Sequence, residues 1–154
     1  MNPNHKAMEI DNILANKRVI LFYNGVISAL TLFVQHADDS ICTPAALPSL
    51  SEALPEGEID QLAVNVHPAA IVRAVNKLMG LPENLLKAEP GFSEQIDTPQ
   101  GIVTVYLARF DLLDPPHEMM ANKGNTLKTL TELRERPPAE MELLRRAYTL
   151  IMES

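Results

Sequence analysis

Apolar residues gather around Asn24-Gly25 in the run Arg18-Val-Ile-Leu-Phe-Tyr-Asn-Gly-Val-Ile. β-Branched and aromatic residues on both sides of an Asn-Gly pair are the strongest short-range hairpin signal. Strands are therefore expected near 18–23 and 27–35. A helix could absorb Ile27–Val34, but Gly25 and the Thr, Val and Ile content favour a strand. Ile59–Val66 alternates in part and reads as a short strand. The period then changes. Residues 68–79 carry Ala69, Ala70, Ile71, Val72, Val75, Leu78 and Met79 as a helical apolar stripe. Pro68 suits the first helical turn, and Gly80 suits the C-terminal cap. Leu81-Pro82-Glu83 starts a second turn or short helix through Leu86.

Gly91–Asp97 and Gly101–Phe110 read as two strands joined by Thr98-Pro-Gln-Gly. The second is apolar on both faces apart from Thr104 and Arg109, as a central strand would be. Leu127–Glu132 reads as a last strand. Pro137-Pro138 opens a helix to Ile151, with Met141, Leu144, Tyr148 and Ile151 as its packing face. Residues 37–58 and Asp111–Gly124 read as loops. The first holds Pro44, Pro48 and Pro55, and is expected to carry a short helix at Ser49–Ala53 or a functional flap. Residues 1–16 read as a flexible tail with a helical turn at Met8–Ala15, and residues 17–154 as one domain. The order of strands, helix, strands, helix predicts an α/β (α+β) fold, with a mixed sheet between helices.

Composition narrows this picture. The chain has 154 residues, of which 46% are hydrophobic and 21% charged, as expected of one globular core. Trp is absent, so the core rests mainly on Leu, Ile, Val, Ala and Met. A net charge of −7 argues against nucleic-acid and anionic-membrane partners, which need basic surface. It leaves room for a small anion in a local basic pocket. The single Cys42 makes no internal disulfide and no multi-cysteine zinc site. Val19–Val34 is broken by Tyr23, Asn24 and Gly25, so it reads as core strands and not as a membrane span. With no export-like start, the cytoplasm is the expected compartment.

Arg73-Ala-Val-Asn-Lys-Leu-Met-Gly-Leu81 then resembles part of the Nudix hydrolase motif, Gly-x5-Glu-x7-Arg-Glu-U-x-Glu-Glu-x-Gly-U with U aliphatic. Arg73, Val75, Gly80 and Leu81 stand where the motif wants Arg, aliphatic, Gly and aliphatic. Ala69-Ala70 resembles the small pair that precedes it. The strand pair around Thr98-Pro-Gln-Gly and the closing helix after Pro137 also resemble the family's elements downstream of the Nudix helix. The resemblance spans roughly residues 17–152. It implies an α/β/α sandwich, in which Arg73 orients the helix through internal hydrogen bonds.

The motif's carboxylates are missing. Their helix positions hold Ala74, Lys77 and Leu78, the upstream Glu position holds Asn65, and the upstream Gly position holds Ile59. The family's glutamates hold Mg²⁺ or Mn²⁺ against a diphosphate, and such hard cations need several oxygen ligands. A methyl, an ammonium and an isobutyl group supply none. Ordinary metal-dependent hydrolysis thereby loses its means of placing water and neutralising charge. Lys77 has two readings: an ammonium standing in for the metal at a ligand phosphate, or a solvated surface lysine.

Other chemistry is sparse. Glu94 and Asp97, with Asp111, Asp114 and Glu118, are either solvated acids or a rebuilt metal site. His5, His36, His67 and His117 share no ligating spacing, and there is no P-loop or Gly-x-Ser-x-Gly. Cys42 reads as a buried or idle thiol, and Met119, Met120 and Met152 as packing. The expectation is a non-catalytic binding or regulatory domain for a nucleotide-like small ligand or a protein partner. Asn65, Arg73, Lys77 and Glu94 are its candidate ligand-binding residues, with no cofactor and no catalytic set. The alternative is a divergent hydrolase of phosphoanhydride bonds that needs Mg²⁺ in a rebuilt site. A third reading is a homodimer with Leu78 in its interface.

Overall fold

A computed structural model describes residues 13–27, 29–56 and 67–153. Its strands are β1 (Lys17–Asn24), β2 (Thr31–Gln35), β3 (Cys42–Thr43), β4 (Glu52–Ala53), β5 (Leu86–Thr98), β6 (Gly101–Phe110) and β7 (Thr126–Lys128). Its helices are α1 (Pro68–Leu78), α2 (His117–Ala121) and α3 (Pro138–Glu153), with a 3-10 turn at Thr131–Leu133. The strands form one mixed sheet in the order β4-β5-β6-β1-β2-β7, and β3 also pairs with β1. β1 and β6 run parallel, Val19 opposite Tyr106, while the other pairs are antiparallel. The expected mixed sheet with helices is what the chain forms.

Period-2 alternation sorts each central strand onto two cores. Val19, Leu21 and Tyr23 of β1 join Tyr106, Ala108 and Phe110 of β6 beneath Ile71, Val72 and Val75 of α1. Ile20 and Phe22 join Val103, Val105 and Leu107 beneath Leu143, Leu144, Ala147 and Ile151 of α3. A strand buried on both faces needs apolar residues at successive positions, which is why β6 reads as a continuous apolar run.

The hairpin at Asn24-Gly25 exists, but its register differs from the expected tight turn. Asn24 pairs with Thr31, so residues 25–30 form the connection, and β2 starts at Thr31 and not at 27. A two-residue turn would set Val26 opposite Tyr23. The observed register instead sets Leu32 opposite Tyr23 and Phe33 opposite Phe22, and buries both. Burial of large side chains outweighs local turn preference. Val26 and Ile27 are left 85% and 99% exposed.

Five further expectations need correction. Ser49–Ala53 is not helical; Glu52 and Ala53 pair with Asp97 and Ile96 and satisfy part of the open edge of β5. β5 begins at Leu86, ahead of the expected Gly91, and reaches it through an irregularity between Ala88 and Ser93, where Gly91 takes φ +86°. The Asp111–Gly124 loop contains α2, whose Met120 is fully buried. The last strand ends at Lys128, and the 3-10 turn takes its remainder. On α3 the buried stripe is Ala139, Glu140, Leu143, Leu144, Arg146, Ala147 and Ile151. Met141 is only partly buried and Tyr148 is exposed. The expected Ile59–Val66 strand lies outside the described residues, as does most of the Met8–Ala15 turn. No helix among the described residues is long and apolar enough to cross a membrane.

Candidate functional site

The candidate site is built on α1. His67 caps the helix, its Nδ1 accepting from the Ala69 N–H at 3.2 Å, and Pro68 stands next, where no N–H is needed. At the other end Gly80 adopts φ +68°, a left-handed conformation that suits glycine. Its N–H donates to the Lys77 carbonyl at 3.0 Å, and the Leu81 N–H donates to the Asn76 carbonyl at 3.1 Å. These paired bonds close the helix as a Schellman cap.

Asn76 fastens that end to the sheet. Its Nδ2 donates to the carbonyls of Leu81 (3.3 Å) and Pro82 (3.0 Å), and its Oδ1 accepts from the Leu86 N–H at 2.9 Å. The side chain is buried and serves both ends of the 81–86 connection. Sequence reasoning misses it. The available signal is a lone amide between Val75 and Gly80, in a helix whose other inward positions are apolar.

A pocket of about 490 Å³ opens between this helix and the start of β5. Ala69, Val72, Leu81, Leu86 and Ala88 give it an aliphatic lining, and Arg73, Lys77 and Lys87 give it cations. Glu83 and Asn84 contribute from the turn. Arg73 and Lys77 are one helical turn apart on a shared face. Both are exposed, and among the described residues neither forms an ion pair or side-chain hydrogen bond. Arg73 thus departs from the expected helix-orienting role. Lys87 comes from the sheet edge. Its register opposite Arg109 turns its Cβ toward the α3 face, so it adds charge beside the pocket more than within it.

The other candidates fall elsewhere. Glu94 is on the opposite face, between Phe92 and Ile96, which both belong to the α3 core. Its carboxylate accepts from Arg146 Nη1 at 2.9 Å, and burial raises its pKa despite the arginine. The buried Arg146 is also held by Glu142 at 3.0 Å and Glu56 at 3.6 Å. The structure therefore brings Arg73 and Lys77 together and keeps Glu94 apart. Asn65 lies outside the described residues. Ala74 faces the core, whereas Leu78 is 49% exposed and outside the pocket lining.

The acids of a rebuilt metal site are also dispersed. Asp97 sits opposite Ile102 near the β5–β6 turn, and Asp111 comes directly after Phe110 at the far end of β6. At ~3.3 Å per residue these ends are roughly 26 Å apart. Asp111 pairs instead with Arg109 at 3.5 Å. Among the described residues, no three His, Cys, Asp or Glu side chains stand close enough to share a metal ion.

A second polar cluster lies where β2, β3 and α3 meet. His36 Nε2 and Thr43 Oγ1 share a 2.5 Å hydrogen bond, and burial holds the imidazole pKa below its usual value against Asp38, Asn125 and Glu140. The buried Glu140 accepts from the Ile41 N–H at 2.9 Å and pairs with Arg136 at 2.9 Å. Cys42, beside them, is buried, and that burial pushes its thiol up to about 12. This cluster joins elements, through the Ile41–Glu140 and His36–Thr43 hydrogen bonds. The sequence matches no protein-family model and no curated protein.

Proposed function

We propose that this chain is a Nudix-like domain that binds a small phosphate-bearing anion, nucleotide-like in its charge, without the family's metal-dependent hydrolysis. One observation carries the reading. The helix positions that would hold metal-binding carboxylates hold Ala74, Lys77 and Leu78, and Lys77 lines the same pocket as Arg73. Two cations without an ion-pair partner among the described residues thus line one pocket, beside aliphatic residues, in a protein of net charge −7. An ammonium and a guanidinium can neutralise phosphate oxygens without a divalent cation, and the guanidinium can do so with two parallel bonds. The packing of α1 and α3 against opposite faces of the mixed sheet supports the reading.

The test is turnover. Nucleoside-diphosphate derivatives incubated with Mg²⁺ should release no phosphate-containing product above the rate without protein. Mg²⁺-dependent release that disappears on changing one carboxylate, such as Asp111→Asn, would overturn the reading and establish the divergent hydrolase.

A second reading concerns Leu78. It is half exposed at the helix end and does not line the pocket, so a homodimer contact would cover it. Light scattering at micromolar concentration decides this, since a monomer removes it.

A further inference from the structure

Resting on the anion-binding reading, we infer that the α1 pocket takes a free phosphate or diphosphate ester with an aliphatic body, and not one with a nucleobase. Both halves of that ligand are written in the lining. Arg73 and Lys77, at i and i+4, root two cationic side chains on one helix face with Cβ atoms about 6 Å apart, so both can reach one phosphate or diphosphate group. The lining also holds five aliphatic residues, Ala69, Val72, Leu81, Leu86 and Ala88, with Asn76, Glu83, Asn84 and Lys87 as its other polar members.

No Phe, Tyr or Trp ring lines the pocket, and the His67 imidazole is engaged at the helix N-terminus, its Nδ1 accepting from the Ala69 N–H. The chain contains 4 Phe, 3 Tyr and no Trp. Phe22, Phe33, Phe92 and Phe110 are buried in the two cores, as are Tyr23 and Tyr106. Tyr148 is on α3, across the sheet. Every Phe, Tyr and Trp position is thereby accounted for, and none lines the pocket. Base recognition draws much of its strength from stacking on aromatic side chains, about 1–3 kcal/mol per base. A saturated chain needs no such partner, because it gains by leaving water for an aliphatic surface.

The edge of β5 adds a donor. The Asp111 N–H donates to the Leu85 carbonyl, so Leu85 turns inward to β6 and Leu86 outward to Asn76. The ladder's alternation then turns the Ala88 N–H outward as well, at the pocket wall.

Calorimetric titration in EDTA with inorganic pyrophosphate, n-pentyl diphosphate and ADP tests this. Burying most of a five-carbon chain should make n-pentyl diphosphate about tenfold tighter or more than pyrophosphate, with ADP within roughly threefold of pyrophosphate. Ala69→Gln, an exposed and helix-compatible change that puts an amide into the aliphatic lining, should remove the pentyl advantage and leave pyrophosphate binding. Equal binding of n-pentyl diphosphate and pyrophosphate, or tighter binding of ADP than of n-pentyl diphosphate, overturns the aliphatic body and leaves the anion site standing. If none of the three binds, the anion-binding reading itself falls. Vesicles containing phosphatidate separate a free ester from a lipid headgroup. Co-sedimentation abolished by Arg73→Gln/Lys77→Gln would overturn the free-ester assignment, and its absence supports it.

Discussion

Single residues decide much of this molecule. Asn76 satisfies one N–H and two carbonyls at the junction of α1 and β5, and it is buried. Asn76→Ala would leave those groups without their partner, so urea unfolding should show a loss of about 2–3 kcal/mol. Arg73→Gln, on the exposed face of the same helix, should move stability by less than about 0.5 kcal/mol. Comparison of the two midpoints therefore separates the scaffold residue from the proposed ligand residue. His36 supplies a pH dependence. Burial favours its neutral form in the fold, against an ordinary value of 6.5. Above pH 6.5 the folded and unfolded chains are both neutral at this residue, so it contributes no slope. As pH falls below that value, the unfolded chain takes up the proton that the fold resists, and stability drops. Asp38 and Glu140 face the ring and temper this drop. Chemical denaturation across that range should show a shallower slope in His36→Gln; an unchanged slope would assign it to other groups.

Elements show where the sequence was readable and where it was not. The α1 helix was legible from end to end, because its stripe, Pro68 and Gly80 are local signals. The second strand of the hairpin was not. Asn24-Gly25 is a strong local turn signal, yet the pairing takes Leu32 and Phe33 into cores formed by residues distant in sequence. α3 shows the same limit. Its periodicity gave a helix, but Glu140 and Arg146 are buried through partners on other elements, and no stripe of apolar residues could reveal that. Gly80 tests the element account. A Cβ there would meet only Lys123 Nζ at 3.8 Å, so the cost of Gly80→Ala is that of the left-handed backbone alone. Thermal or urea unfolding should show about 1–2 kcal/mol lost.

For the whole molecule, the fold was more legible than the site. Alternation and order pointed to a mixed sheet with helices on both faces, since burial of apolar surface dominates such patterns. Of the candidate ligand residues, Arg73 and Lys77 meet in one pocket because helical spacing is local. Glu94 stands across the sheet because strand parity and a shift between Ala88 and Ser93 set its face. The central proposal is an anion site formed by Arg73 and Lys77, with Lys77 standing where the Nudix motif would hold a metal ligand. Calorimetric titration with inorganic pyrophosphate, in EDTA and then in excess Mg²⁺, tests it most directly. The account predicts saturable binding in EDTA, weakened by Mg²⁺ as the metal competes for the anion, and lost in Arg73→Gln/Lys77→Gln. Binding that appears only with Mg²⁺, or that survives the double substitution unchanged, would contradict it.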